Sequence, residues 1–425
     1  MFSERTNWKL GRNKFTQAVE ETRTAGMKLL DLTASNPTRV GLNYDGAAIL
    51  TALSSSRSLD YDPQSKGVVE ARRAVADYYR DDHGVAVDPE RIVLTTSTSE
   101  GYSFVFRLLC NAGDELLVPK PSYPLFEFLA DLQDVKLVPY PLIYDHGWQM
   151  DFHSLAKAVT PRTRGVVVVH PNNPTGSYVK AGEREALNGF CRERGLAVTV
   201  DEVFLDYGIQ PLGVKAHPSE DRNGSAESAA PHRKGTVELR STGRPGAAVP
   251  TSFVANDEVL TFTLSGLSKI SALPQMKAAW IVTSGPEDQV ESAMARLEII
   301  ADTYLSMNAP LQWAVPVLLE QRSSMQTQLI ERVTANLADL DRQLLAQKAC
   351  QRLEVEGGWY AVLRIPVTRT DEELAIELVK EKKVVVHPGH FYDFETDGYL
   401  VLSLITPKEE FGEGIRRVLS ELNSV

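Results

Sequence analysis

Residues 165–201 constrain the fold more than any other stretch. Gly165-Val-Val-Val-Val169 is an unbroken apolar run of β-formers, closed by the turn-rich His170-Pro-Asn-Asn-Pro-Thr-Gly176. A helical pattern runs from Gly182 to Arg194, Gly195 stops it, and a second apolar run, Leu196-Ala-Val-Thr-Val200, ends in Asp201. Strands this continuously apolar are covered on both faces. Their alternation with helices means a mostly parallel sheet.

The alternation extends in both directions. Strands are expected at Arg91–Thr96, Glu115–Val118, Lys136–Pro139, Val259–Leu264 and Ala278–Thr283, with helices at Val68–Tyr79 and Phe152–Val159. Gly84 is a stop signal after the first of these helices. The N-terminal 30 residues carry a helical pattern that leads into Ser35-Asn-Pro-Thr38, which is turn chemistry. From Pro286 to Gln347 the pattern is helical, broken near Asn308-Ala-Pro310. A mixed α+β region follows, with strands at 357–364, 384–386 and 399–404 and helices at 371–380 and 407–422. Between Gly208 and Ala248 large apolar residues become scarce, which reads as a surface insertion rather than a domain.

Three features stand where ligands sit in open α/β sheets, at the C-terminal ends of strands. Asp201 is one. Thr96-Ser-Thr-Ser-Glu100 is the second: free N–H groups at a helix start, with hydroxyls around them, make an anion site, although Ser/Thr followed by Glu is equally a capping signature. The third is Val259-Leu-Thr-Phe-Thr-Leu-Ser-Gly-Leu-Ser-Lys269, a strand, a small polar connection and one lysine. Lys269 is either a surface lysine or one kept in a site with its charge paired, lost or used covalently.

The remaining composition mainly excludes. A chain of 425 residues is too long for one core. A net charge of −11 leaves no basic footprint for nucleic acid or an anionic membrane. Cys110, Cys191 and Cys350 are odd in number and far apart, which supports neither a disulfide framework nor a metal site. Neither a GxGxxG after the first strand nor a GxxxxGK[ST] occurs. Ser154-Leu-Ala-Lys157 matches SxxK without its companion motifs and reads as a helix face. With no apolar leader or span, the expectation is a soluble, cytoplasmic protein.

Taken in order, Tyr61…Gly67, Thr96-Ser-Thr-Ser-Glu100, Pro121-Ser-Tyr-Pro124, His170-Pro-Asn-Asn-Pro-Thr-Gly176, Asp201-Glu-Val-Phe204, Ser265-Gly-Leu-Ser-Lys269 and Val386-His-Pro-Gly389 resemble the class I/II aminotransferases, fold-type I pyridoxal-phosphate enzymes. The resemblance spans nearly the whole chain except the insertion. It implies the PLP-dependent transferase (aspartate aminotransferase-like) fold: an α/β large domain over 46–289, and a smaller α+β domain from 1–45 and 290–425.

It also implies roles. Lys269 would hold pyridoxal 5'-phosphate as a Schiff base and shuttle the substrate α-proton. Asp201 would pair with the pyridine N–H, Asn173 would donate to the ring hydroxyl oxygen, and Tyr123 would stack on the ring. Ser97, Thr98 and Ser268 would bind the phosphate. Tyr61 would reach the phosphate of a neighbouring subunit, which implies a homodimer. The partners implied are an amino donor and a 2-oxo acid.

Four positions depart from the family pattern. The phosphate-gripping arginine is Lys277, a point charge rather than a bidentate fork. The glycine two residues on is Ala279. The tyrosine three residues after the aspartate is Phe204, which leaves Asn173 as the evident donor to the ring oxygen. The arginine that clamps the substrate carboxylate aligns with Val401. Arg39, with Ser35 and Asn36 in the segment that covers the substrate, is the expected substitute, and Arg364 is the other candidate cation. The expected activity is amino transfer. A decarboxylase or lyase on the same fold is the alternative, followed by a non-catalytic cofactor-binding protein.

Overall fold

The computed structural model describes residues 1–423 except Lys9, Leu125, Ser306 and 210–250. The insertion expected over 208–248 therefore lies, from residue 210 on, outside the described residues. A short strand, β1 (Leu30–Asp31), precedes the main sheet. That sheet contains β2 (Ile92–Thr95), β3 (Glu115–Lys120), β4 (Lys136–Tyr144), β5 (Trp148–Met150), β6 (Thr163–Val169), β7 (Ala197–Asp201), β8 (Thr261–Gly266) and β9 (Ala279–Ser284). Their order is β2-β9-β8-β7-β6-β3-β4-β5. The pairs β4/β3, β3/β6, β6/β7 and β7/β8 are parallel, β9 is antiparallel to both β8 and β2, and β5 is antiparallel to β4.

The mostly parallel central sheet is thus present. The reversal at β9 is new, because a buried antiparallel strand shows the same apolar run as a parallel one. It has a useful consequence. Since β9 reverses between β2 and β8, strands β2, β3, β4, β6, β7 and β8 all point the same way. The loops that leave their C-terminal ends gather along one edge.

The valine run of β6 shows why these strands sit inside. Val166 and Val168 belong to the core with Leu155 and Leu187 on one face, and Val167 and Val169 to the core with Phe104 and Leu297 on the other. Side chains alternate across a strand, so a run apolar at every position is covered twice. Each buried valine contributes roughly 1.5–3 kcal/mol. The helix Ala181–Arg194 crosses between β6 and β7 and ends at Gly195, which takes a left-handed φ of 63° that glycine adopts freely.

The second sheet is antiparallel. Strands β10 (Gln351–Arg352), β11 (Tyr360–Arg364), β13 (His387–Pro388) and β14 (Tyr399–Ser403) run in the order β10-β11-β14-β13, while β12 (Val384–Val385) pairs in parallel with β1. The helix Lys14–Thr24 contributes Phe15, Ala18 and Val19 to the same core as Val384, Leu400 and Ile415, so the two ends of the chain fold together. The expected division at 290 falls inside a shared core. Leu297 of helix Glu287–Tyr304 and Leu311–Leu319 of helix Ala309–Glu320 pack with strands of the large sheet, and the small-sheet core takes up the chain at Met325.

The two sheets meet at the edge where the parallel strands end. Ile209 N–H donates to Glu356 O (2.8 Å), Gly358 N–H to Tyr207 O (2.9 Å) and Glu356 N–H to Gly176 O (3.2 Å). Gly176 is required here: its φ is +71°, and a Cβ would lie 2.5 Å from Gly357 O. The loop after β6, the loop after β7 and the approach to β11 are stitched into one wall.

Candidate active site

Asp201 is the last residue of β7, at the centre of the large sheet, in register with Val169 on one side and Leu264 on the other. Its Oδ1 accepts the Val203 N–H (3.1 Å) and its Oδ2 the Tyr102 hydroxyl (3.2 Å). Burial raises its carboxyl to about 6, although both hydrogen bonds and the Lys269 charge pull the other way. A carboxylate with lone pairs to spare and an unfavourable environment is primed for a further N–H donor or a cation.

Lys269 lies in the one-turn helix Leu267–Ile270 directly after β8. Its Nζ donates to Ser35 O at 3.4 Å. The ammonium stands 4.7 Å from the centroid of the Trp359 ring and 5.4 Å from that of Phe204. Burial depresses the amine to about 8, offset in part by the Asp201 charge. Near neutral pH such an amine spends a usable fraction of its time uncharged, which is the state that attacks a carbonyl.

Asn173 is buried in the loop after β6, and its Oδ1 finds no partner among the described residues. Tyr123, 41% exposed as a residue, lies in the loop after β3; burial and the Asp201 charge raise its hydroxyl. After β2, the Ser97 Oγ caps the helix Thr98–Leu109 by accepting the Glu100 N–H (3.1 Å). Glu100 Oε2 answers by accepting the Thr96 N–H (2.7 Å) and hydroxyl (3.1 Å). The capping signature is therefore real, and it presents a helix start with its Thr98 hydroxyl at the same edge. Ser268 is half-buried beside Lys269.

Other expected residues lie further out. Lys277 is exposed, with a left-handed φ of 53°, just after the turn Pro274–Met276. Tyr61 is 83% exposed. Phe204 is buried edge-on against Trp359 (centroids 5.2 Å apart), so the position that lacks a hydroxyl serves as an apolar wall. Asn36 Oδ1 accepts the Thr38 N–H (3.0 Å) and hydroxyl (2.8 Å) and so caps the turn Pro37–Arg39. Ser35 contributes its carbonyl to Lys269.

Val401 is buried at the middle of β14, opposite Val362 and His387. Arg364 is exposed at the end of β11 away from Tyr360, about 13 Å along the strand. Arg39 is exposed, and its guanidinium has no partner among the described residues.

Several residues of the site escaped the sequence reading. Tyr102 reaches Asp201 across 99 positions of chain. Trp359 forms the wall beside Lys269. A signal existed for the latter: two glycines, Gly357 and Gly358, precede the large aromatic, and a Cβ on Gly357 would lie 2.6 Å from the Tyr178 hydroxyl. A glycine pair before a buried tryptophan marks chain pressed against chain.

The model of the family described as aminotransferase class I and II matches residues 28–417. This chain is a class I and II aminotransferase. Among curated relatives of this aminotransferase, the glutamate-pyruvate aminotransferase AlaA of Haemophilus influenzae is 24% identical over 410 residues, covering 93% of this chain and 92% of that one. The alanine aminotransferase of Mycobacterium bovis is 23% identical over 418 residues, covering 96% and 88%. Among solved structures, the alanine aminotransferase from Pyrococcus furiosus superposes with a TM-score of 0.83 at 20% identity and covers the whole of both chains. The aspartate aminotransferase of Thermotoga maritima gives 0.76 at 19% identity, covering 99% of this chain and 100% of that one. The expected fold and transferase class stand. No helix among the described residues is long and apolar enough to cross a membrane.

Proposed function

We propose that this aminotransferase carries pyridoxal 5'-phosphate on Lys269 and transfers an amino group between an amino acid and a 2-oxo acid. The observation that carries the reading is the pairing of the Lys269 amine, depressed by desolvation, with the half-buried Asp201 carboxylate, the one in the turn after β8 and the other at the end of the neighbouring β7. The residues present fit the cofactor. Asp201 has room for a ring N–H, Asn173 carries a buried amide whose Oδ1 has no partner among the described residues and which, turned over, points its Nδ2–H at a ring oxygen, and the start of helix Thr98–Leu109 with Ser97, Thr98 and Ser268 offers an anion seat, with Lys277 the expected cation. The cofactor, when bound, supplies an electron sink for the bonds at the substrate α-carbon.

The chain's own groups do the rest. Lys269 binds the cofactor and, when free, holds and returns the α-proton at Nζ. Asp201 holds a proton on the ring nitrogen. Tyr123, Phe204 and Trp359 exclude water. Arg39 is our choice for the substrate carboxylate, with Ser35 and Asn36 forming the cover. Tyr61, so exposed in one chain, fits a homodimer in which it reaches its partner's site. We place the enzyme in the cytoplasm.

Relatives named for alanine, glutamate and pyruvate set the first panel of donors and acceptors. Purified protein with pyridoxal 5'-phosphate is mixed with each amino acid, and the absorbance change to the pyridoxamine form is read together with the oxo acid released. Conversion by the wild type and none by Lys269→Ala is the expected result. Carbon dioxide release without oxo acid would replace the reading with a decarboxylase.

A further inference from the structure

The turn that carries Lys269 cannot hold itself. A single turn of helix leaves its last carbonyls without helical partners, and isolated helical turns are unstable. Inside this turn the bonds are Ser271 N–H and Leu273 N–H to Leu267 O (3.2 and 3.0 Å) and Ala272 N–H to Lys269 O (3.2 Å), and Leu267 N–H donates outward to Ala278 O (3.0 Å), which leaves Ile270 O and Ala272 O without a backbone donor among the described residues. Ala272, which closes it, is left-handed at φ 54° without being glycine.

Three side chains from three other segments donate to its carbonyls. Tyr207, in the loop after β7, donates its hydroxyl to Lys269 O at 2.6 Å. Gln326, on the helix Arg322–Leu344, donates Nε2–H to Ile270 O at 3.2 Å. Tyr44, from the N-terminal segment, donates its hydroxyl to Ala272 O at 2.8 Å.

Two of these donors are themselves fixed. Tyr207 is fully buried, edge-on to Trp359 at 5.1 Å. Gln326 gives its second Nε2 hydrogen to Asp206 Oδ2 at 2.9 Å. Asp206 is held in turn by the Tyr78 hydroxyl at 3.1 Å and by His83 Nε2 at 3.0 Å, with both its own side chain and that of His83 nearly fully buried.

We infer that Tyr207, Gln326 and Tyr44 are positioning residues that fix the backbone of Lys269, with Asp206 orienting Gln326. The inference deepens the proposed role of Lys269 and rests on it. None of the three touches Nζ. They set where the lysine stem leaves the chain, and so how deeply the amine sits between Trp359, Phe204 and Asp201. Loosening the turn lets the amine reach water and regain its ordinary basicity.

The test is the pH dependence of acylation of Lys269 by acetic anhydride in the cofactor-free protein, followed on the Lys269 peptide by mass spectrometry. The variants are Tyr207→Phe, Gln326→Met and the two combined. Tyr140→Phe is the control, because it removes an equally buried hydroxyl from a backbone carbonyl, Val167 O at 2.9 Å, elsewhere in the sheet.

The midpoint is expected to rise by about 0.5–1 pH unit in each single variant and further in the pair, with Tyr140→Phe unmoved. In the loaded enzyme, kcat falls about tenfold or more in the pair with KM nearly unchanged. If Tyr207→Phe behaves like Tyr140→Phe, with a lowered Tm and an unmoved midpoint, the three bonds are only structural and the inference is overturned. A wild type that takes no cofactor on Lys269 would sink the proposed function instead, and the midpoints in the cofactor-free protein are read independently of it.

Discussion

The two sides of the site are built differently. The side proposed for the cofactor hangs on the ends of neighbouring strands: Asp201 closes β7, its backbone laddered to β6 and β8, and Lys269 follows β8 in a turn beyond the ladder. The side proposed for the substrate is assembled from chain ends. The segment Ser35–Arg39 comes from near the N-terminus, Trp359 and Tyr360 enter β11, and Val401 sits in β14. The first side has a half-buried pair of opposite charges, Asp201 and Lys269. In the second, the strand position aligned with the carboxylate clamp is an apolar core residue, and Arg39, whose guanidinium has no partner among the described residues, is exposed. A sheet edge holds a charge where burial makes it costly and reactive. A cover of loops can exchange one binding group for another without disturbing the sheet.

The largest expected effect lies on the cofactor side. The Asp201 carboxyl is raised from 3.8 to about 6 by burial, so its ionisation opposes folding. For an acid whose folded pKa is raised, the penalty is absent below pH 4, grows through pH 6 and is complete above it. Two pH units correspond to about 3 kcal/mol. Asp201→Asn should therefore stabilise the cofactor-free protein above pH 7 by up to about 3 kcal/mol. It should flatten the fall in Tm between pH 4 and 7, and it should cut kcat by about 10²–10³. Thermal melts of both proteins across that range check it. A variant no more stable than the wild type at pH 8 would show that Asp201 is better solvated than its setting implies.

The same contrast decides what could be read from the chain. Asp201 stood out because it ends an apolar run, where a charge is visible one residue at a time, whereas Lys269 follows its run by five residues and was singled out by the resemblance. The parallel sheet was legible because β6 and β7 are apolar at every position. Tyr102, Tyr207 and Gln326 were not. Each acts on a partner tens of residues or more away, and on its own segment it is an ordinary helix or turn residue. The reversal of β9 was hidden because burial, not direction, sets its composition. The boundary at 290 missed the shared core because Leu297 and Leu311–Leu319 are amphipathic in the same way whichever sheet they cover.

On the substrate side the effect should be smaller and of another kind. Arg39 is exposed and has no partner among the described residues, so Arg39→Ala leaves no buried partner behind among them, and the fold should hold within about 0.5 kcal/mol. Losing a charge-assisted contact to a substrate carboxylate should raise KM by about 10–100-fold, with cofactor affinity unchanged. Amines without a carboxylate should be indifferent to the change, which makes them the internal control. If amino-acid kinetics are the same in Arg39→Ala, the carboxylate is bound elsewhere or the substrate carries none.

Phe204 joins the two sides, since it packs against Trp359 and also lies 5.4 Å from the Lys269 amine. Phe204→Tyr adds one hydroxyl at a buried position. If that hydroxyl reaches the cofactor ring oxygen, it stabilises the oxygen's charged form. The pH at which the bound cofactor changes absorbance then falls by about 0.5–1 unit, equivalent to roughly one hydrogen bond. If the hydroxyl turns instead toward Trp359, whose indole N–H has no partner among the described residues, it can accept that N–H, and stability changes with no spectral shift. A spectral pH titration beside a melt separates the two outcomes. An unmoved midpoint would assign Phe204 to the wall that shields Lys269 rather than to a vacated hydrogen bond.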